Sequence, residues 1–265
     1  MTMTESDFEV KEIHTKEEYR RLVDVLWTAN SHPYIAVFTA VHPVSGHTAE
    51  DRVKDKDYDC EIRWAAHQKN PASHFIYVID KKSGRVAGGC EWLIFRKNPF
   101  PNGPQPIPCT WYPEGSERAE YASQMLSQAF FPRQCWLQRP HAGVNAMGVH
   151  PDFRRKGVGR LLMDWGHERI DPLGYESFIE GSPTGRFLYE ECGYKRVVCL
   201  HIDFAKKNPS DEWNRLVHEC VPPPILLLWR PPRGVWDERV PAGPWAVTES
   251  TWGENKSVEE VVKEV

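Results

Sequence analysis

The chain has 265 residues, 40% of them apolar, 12% aromatic and 26% charged, the make-up of a globular protein rather than a disordered one. Lys and Arg number 33 against 37 Asp and Glu, a net charge of −4, which argues against holding nucleic acid by phosphate neutralisation. No apolar run approaches the roughly 18 residues of a membrane span, so neither nucleic acid nor a membrane is expected as a partner.

In chain order, Phe8 to Ile13 alternates as a strand, and Thr15-Lys-Glu-Glu18 has the form of a capping box opening a helix from Lys16 to about Trp27. Residues 28–47, with Pro33, Pro43 and Gly46 among aromatics, read as a loop, and 48–68 as a charged helix. Phe75–Ile79, a turn over Asp80–Gly84 and a strand over Arg85–Phe95 form a predicted hairpin. The tandem Gly88-Gly89 inside it marks a bulge, or a place where another backbone or a ligand comes close. Pro99, Pro101, Pro104, Pro106, Pro108 and Pro113 leave no regular element over 96–115, and a helix is expected from Ser116 to about Gln128. Strands at Val144–Val149, Tyr175–Ile179 and Lys195–Phe204, separated by helices at Gly157–Ile170 and Pro183–Cys192, give the rhythm of parallel crossovers. Beyond Asn208 only Ile225–Trp229 reads as a strand, with a marginal helix at Ser257–Val265.

The seven cysteines form no C-x-x-C pair, and the eleven histidines include no H-E-x-x-H, so no metal site is expected. The acidic start has no apolar h-region. Reduced thiols in the cytoplasm or nucleus are therefore expected.

The informative block is Met147-Gly-Val-His-Pro-Asp-Phe-Arg-Arg-Lys-Gly-Val-Gly-Arg160. A strand runs into a basic, glycine-punctuated turn that opens a helix. Unpaired amides and the helix dipole make such a start an anion site. Gly157 and Gly159 would let phosphate reach the backbone, with Arg154, Arg155, Lys156 and Arg160 around it. Taken alone, the block is also compatible with a basic helix start whose glycines only make a tight turn. Neither the G-x-x-x-x-G-K-[ST] loop nor a G-x-G-x-x-G fingerprint with its distal acid is present.

About thirty residues on stands Ile179-Glu-Gly-Ser-Pro-Thr-Gly-Arg-Phe-Leu-Tyr-Glu-Glu-Cys-Gly-Tyr194. Together the two blocks resemble the GNAT superfamily of acyl-CoA-dependent N-acetyltransferases, most of all a group common in filamentous fungi. Motif A, Gln/Arg-x-x-Gly-x-Gly/Ala, is matched by Arg154, Gly157 and Gly159; motif B, x-L-Y-E-x-x-G-F/Y, by Phe187 to Tyr194. The close resemblance covers about 142–204. It implies a mixed α/β fold with a central, mostly antiparallel sheet whose parallel middle strands are splayed. One domain over 1–230 is expected, followed by a proline-containing tail over 231–265.

The resemblance further implies acetyl-CoA as the acyl donor. Backbone groups of Met147, Gly148 and Val149 would pair with its pantetheine arm. Amides of Arg155, Lys156, Gly157, Val158, Gly159 and Arg160 would hold its pyrophosphate, and Ser182, Gly185 and Leu188 would flank the arm. Tyr189 falls where the family often carries the acid for the departing thiolate; read as a residue alone, it is also an ordinary core aromatic. The candidate bases are, in order, Glu180 at the end of its strand, Glu91 after the double glycine, and His150.

Residues 96–141 exceed the short turn of a minimal family member. Trp111, Tyr112, Tyr121, Phe130, Phe131 and Trp136 argue against disorder there. The segment is expected either to form a lid over the acceptor cleft or to be a helix merely packed on the sheet. The expected function is transfer of acetyl to a primary amine of a small molecule by direct attack. The rivals are a protein or peptide acetyltransferase and a non-catalytic acyl-CoA-binding module. The oligomeric state, monomer or homodimer, is left open.

Overall fold

The capping box forms as expected. Glu18 N donates to Thr15 Oγ1 at 3.2 Å, and Thr15 N returns to Glu18 Oε2 at 3.1 Å, ordering the first turn after strand β1 (Phe8–Glu12). The structure is a computed structural model that describes residues 7–34 and 37–236. Helix α1 spans Lys16–Ser31, α2 Phe38–Val41 and α3 Ala49–Lys69. The hairpin is β2 (Ser73–Asp80) and β3 (Val86–Phe95); α4 covers Glu117–Trp136 and β4 His141–Val149. There follow α5 (Val158–Ile170), β5 (Ser177–Gly181), α6 (Arg186–Glu191), β6 (Lys195–Leu200), α7 (Asp211–Glu219) and β7 (Ile225–Arg230). A compact unit closes at Gly234. Most of the expected tail, including the helix at Ser257–Val265, lies outside the described residues.

The seven strands form one sheet in the order β1-β2-β3-β4-β5-β7-β6. Only β4 and β5 are parallel neighbours; β7 separates β5 from β6 and runs antiparallel to both. This is the mixed, mostly antiparallel sheet expected. Its middle strands part early: pairing stops at Val144↔Ile179. Beyond it, Met147, Gly148 and Val149 still pair with β3, while Glu180 and Gly181 pair with β7. The two edges that face each other there pair with neither.

A bulge sets what each side of β4 presents. Glu91 pairs with Ala146 and Trp92 with Val144, so Asn145 is the extra residue. Gly143 and Gly148 are five apart and would alternate onto opposite faces, but the extra residue returns them to the same one. A Cβ on Gly148 would meet Leu26 and Ala29 of α1, and one on Gly143 would meet Arg133 of α4. Helices α1 and α4 therefore cover the same face of β4, on either side of the bulge. The tandem glycines sit beside a bulge in β3, where Ala87 is the extra residue, and they let neighbouring chain come close: a Cβ on Gly89 would meet Ile76 O and Leu22 of α1, and one on Gly88 would meet Val158 of α5 and Gly148 O.

Two apolar clusters flank the sheet, one under α5 with Trp92, Val144, Leu162 and Met163, the other under α1 and α3 with Tyr19, Leu22, Phe75 and Tyr77. A third, with Tyr121, Met125 and Trp213, binds α4 to α2 and α7. Residues 96–141 thus carry a share of their own core. Tyr112 Oη reaches Thr39 O at 2.5 Å, and Gln124 and Gln128 bond the backbone at Ala205 and Asp203. α4 runs eight residues past its expected end, through Pro132.

Candidate active site

At the start of α5, Gly157 takes φ +84° and Arg155 φ +62°. This left-handed pair turns the chain from the short 3-10 turn at Pro151–Phe153 into the helix. The first amide to close a helical bond is that of Leu161, onto Gly157 O at 3.1 Å. No backbone-to-backbone bond in the described residues takes the amides of Arg155 to Arg160. They gather at the positive end of a 13-residue helix, beside the parting of β4 and β5, which is the donor set an anion needs.

The basic residues of this loop divide. Arg154 turns inward: Nη2 donates to Ala29 O at 2.9 Å and Nε to Val149 O at 3.3 Å, so its guanidinium ties the loop to α1. Arg160 pairs with Asp164 at 2.8 Å. Lys156 lies over the Phe153 ring at 5.4 Å, and Arg155 is exposed. The glycines divide as well. Around Gly157 a Cβ would find open space, whereas one on Gly159 would come 2.8 Å from Leu188 of α6.

Ser182, Gly185 and Leu188 stand together at the start of α6, where Ser182 Oγ accepts Gly185 N at 3.1 Å. Tyr189 is buried with its ring against Gly181, the last residue of β5, and against Gly185. Burial, helped by Cys90 and Cys192, drives its hydroxyl well above the ordinary tyrosine range, so it is protonated at neutral pH.

The three candidate bases meet different surroundings. Glu180 is held by Arg133 of α4: Nε donates to Oε1 at 2.9 Å and Nη2 to Oε2, with the two side chains 6% and 5% exposed. Burial raises the Glu180 carboxyl, and the Arg133 guanidinium opposes that rise. His150 accepts Asp152 N at Nδ1, 3.2 Å away, and lies by Arg85, so it serves the turn that precedes the anion loop. Glu91 lies on the α1 and α4 face between those helices, beside the bulge, with Asn145 Nδ2 donating to Oε2 and Ser73 Oγ to Oε1, both at 2.6 Å.

Sequence reasoning missed Arg133, Ser73, His67 and Asn145. Only Asn145 left a signal, as a lone polar residue in the otherwise apolar run Ala142-Gly-Val-Asn-Ala-Met-Gly. Among the described residues, no three His, Cys, Asp or Glu lie close enough to hold a metal ion, and no helix is long and apolar enough to cross a membrane.

The family model of the acetyltransferase (GNAT) domain matches residues 122–196. Mycothiol acetyltransferase of Propionibacterium freudenreichii subsp. shermanii is 37% identical over 76 residues, 27% of this chain and 24% of that protein, so the chain covers about a quarter of that curated relative. Among solved structures, an agmatine N-acetyltransferase variant in its apo form superposes with a TM-score of 0.52 at 14% identity, covering 84% of this chain and 98% of that one. A histone acetyltransferase HPA2 and related acetyltransferase structure from Corynebacterium glutamicum gives 0.49 at 16% identity, covering 87% and 98%.

Proposed function

We propose, from the premise that residues 122–196 are a GNAT-type acetyltransferase domain set in a sheet of that fold, that the chain transfers an acetyl group from acetyl-CoA to the primary amine of a small molecule. One observation carries this reading: an opening between the facing edges of β4 and β5, beside six helix-start amides with no backbone acceptor. A diphosphate fits those amides, and an extended arm fits an edge where the outward ladder groups of Met147 and the Val149 amide have no strand partner among the described residues, Val149 O being held by Arg154.

Bound acetyl-CoA supplies the acetyl thioester and a thiolate as leaving group. The chain's residues supply the rest. Glu91, with both oxygens held but not ion-paired, takes the proton of the incoming ammonium at a carboxylate oxygen, leaving the nitrogen lone pair free. We place Glu91 ahead of Glu180 because a carboxylate locked to a guanidinium gains little by accepting a proton. Tyr189 keeps its proton on Oη and offers it to the sulfur as a hydrogen bond, while the second proton that the nitrogen sheds as the amide forms ends on the departing sulfur, which leaves as a thiol. With its hydroxyl raised above the thiol range of about 8.5, it stabilises the thiolate without becoming charged. Helix α4, packed on α2 and α7 through an apolar core and joined to the end of β5 by Arg133 and Glu180, supports a walled acceptor side and so a small amine rather than a protein segment.

Mass spectrometry of a panel of primary amines and peptides, incubated with acetyl-CoA and with or without the purified chain, tests the reading. Acetylated small amines are expected only with the chain. Product confined to peptides would give the function to a protein acetyltransferase. Tight CoA binding with no product would give it to a non-catalytic binding module.

A further inference from the structure

Helix α3 turns a polar stripe inward. Asp55, Asp59, Arg63 and His67 recur every four residues and so lie on one side of the helix. The first three are spent on the segment that precedes the helix. Asp55 takes Ser45 N at 2.9 Å, Asp59 takes Trp27 Nε1 and His42 Nδ1 at 2.8 and 2.7 Å, and Arg63 bonds Asp59 and Val41 O. His67, the last of the stripe, reaches the sheet instead. Its Nδ1 is 2.8 Å from Oγ of Ser73, the first residue of β2, and that oxygen is 2.6 Å from Glu91 Oε1. We propose that Ser73 and His67 are positioning residues that hold Glu91, together with Asn145, as an oriented proton acceptor; this rests on the reading of Glu91 above.

A carboxylate only accepts, so the single hydroxyl proton of Ser73 goes to Glu91, and Ser73 Oγ must accept from His67 Nδ1–H. Both Glu91 oxygens then carry one hydrogen bond, which fixes the plane of the carboxyl group and the lone pairs left for an incoming proton. Several groups face this line. Arg63 of α3, itself paired with Asp59, and the Tyr19 hydroxyl of α1 lie near Glu91, and His74 of β2 and Glu12 of β1, themselves paired at 2.9 Å, lie near His67. Tyr19 Oη is buried without a hydrogen-bond partner in the described residues, so it does not compete for the carboxylate. Burial keeps His67 below the ordinary histidine range, and its ring lies between Trp64 and Phe75, each 5.0 Å away. Neutral or protonated, Nδ1 still donates, so the line survives acidification.

The test records, at one fixed neutral pH, the NMR chemical shift of the Glu91 side-chain carboxyl carbon in glutamate-labelled chain, with Glu91→Gln assigning the signal. In Ser73→Ala the signal should move, and in His67→Ala less so, with His67→Asn recovering most of the change because its amide can donate from the Nδ1 position. With an amine substrate, kcat should fall about tenfold in Ser73→Ala and recover from His67→Ala to His67→Asn, while KM for acetyl-CoA should hold. A Glu91 signal at the same shift in all folded variants would overturn the inference. A shifted signal in a chain that acetylates no amine would uphold the positioning and remove the functional reading instead.

Discussion

Gly157 holds φ +84° with open space where a Cβ would lie, whereas a Cβ on Gly159 would press on Leu188 Cδ2, the far end of a flexible side chain. The two glycines of one motif therefore do different work, the first in the turn and the second in packing α5 against α6. A left-handed conformation costs an L-residue about 1–2 kcal/mol. Gly157→Val should thus distort the amide cradle and raise the calorimetric Kd for CoA about tenfold or more, while Gly159→Ala should leave it nearly unchanged. Equal effects at the two positions would contradict this division. On the opposite flank of the splay, Tyr189→Phe removes only a hydroxyl from a buried ring. It should lower kcat with the CoA Kd intact, and unchanged kcat would take Tyr189 out of the mechanism.

Helix α4 shows best where the sequence was legible and where it was not. Its cap, Ser116 Oγ accepting Ala119 N at 3.2 Å, was readable, but its length was not, because Pro132 reads as a breaker. Tertiary anchors carry the helix past it: Arg133 meets Glu180, and Leu137 just beyond the end is fully buried. Helix α7 was missed altogether, hidden in a proline-rich stretch, although Ser210 caps it and Trp213 is the side chain it buries. The polar stripe of α3 was also invisible, since amphipathic patterning assumes that charge faces water, and no local rule marks the extra residue at Asn145. The left-handed turn before α5 and the starts of α5 and α6 were legible because turn glycines and helix starts are local devices. The Arg133–Glu180 pair gives α4 a measurable test. Arg133→Ala leaves a buried carboxylate unpaired and should cost about 3–5 kcal/mol in urea unfolding. The double change Arg133→Met with Glu180→Leu should recover most of that loss, and an additive double variant would refute the pairing.

At the scale of the whole molecule, acid should loosen the fold in two steps, because two sets of its buried titrating groups respond in different pH ranges. His141 and His167 are both less than a tenth exposed, and burial, assisted by neighbouring arginines, brings each from 6.5 down to about 4. Each is therefore held neutral in the fold but charges freely once unfolded. Their contribution is fully present above pH 6.5 and is lost as pH falls through about 4. At about 1.4 kcal/mol per pH unit, that is roughly 3 kcal/mol each. Burial pushes Asp59 the other way, but His42, Arg63 and Trp27 outweigh it and set its carboxyl at about 2. The stability Asp59 brings is intact above its unfolded value of 3.8 and goes only as pH falls through about 2. Calorimetric Tm should therefore drop between pH 6.5 and 4, well before Asp59 is protonated. His141→Phe keeps a ring against Phe95 and Phe100, 5.0 and 6.2 Å from the imidazole, but removes the titrating nitrogens. It should start less stable, having lost the bond to Arg139 O, and yet fall less steeply over that window. A parent Tm that stays flat from pH 6.5 to 4, or a variant slope equal to the parent's, would show that the buried imidazoles do not control the acid side of the stability curve.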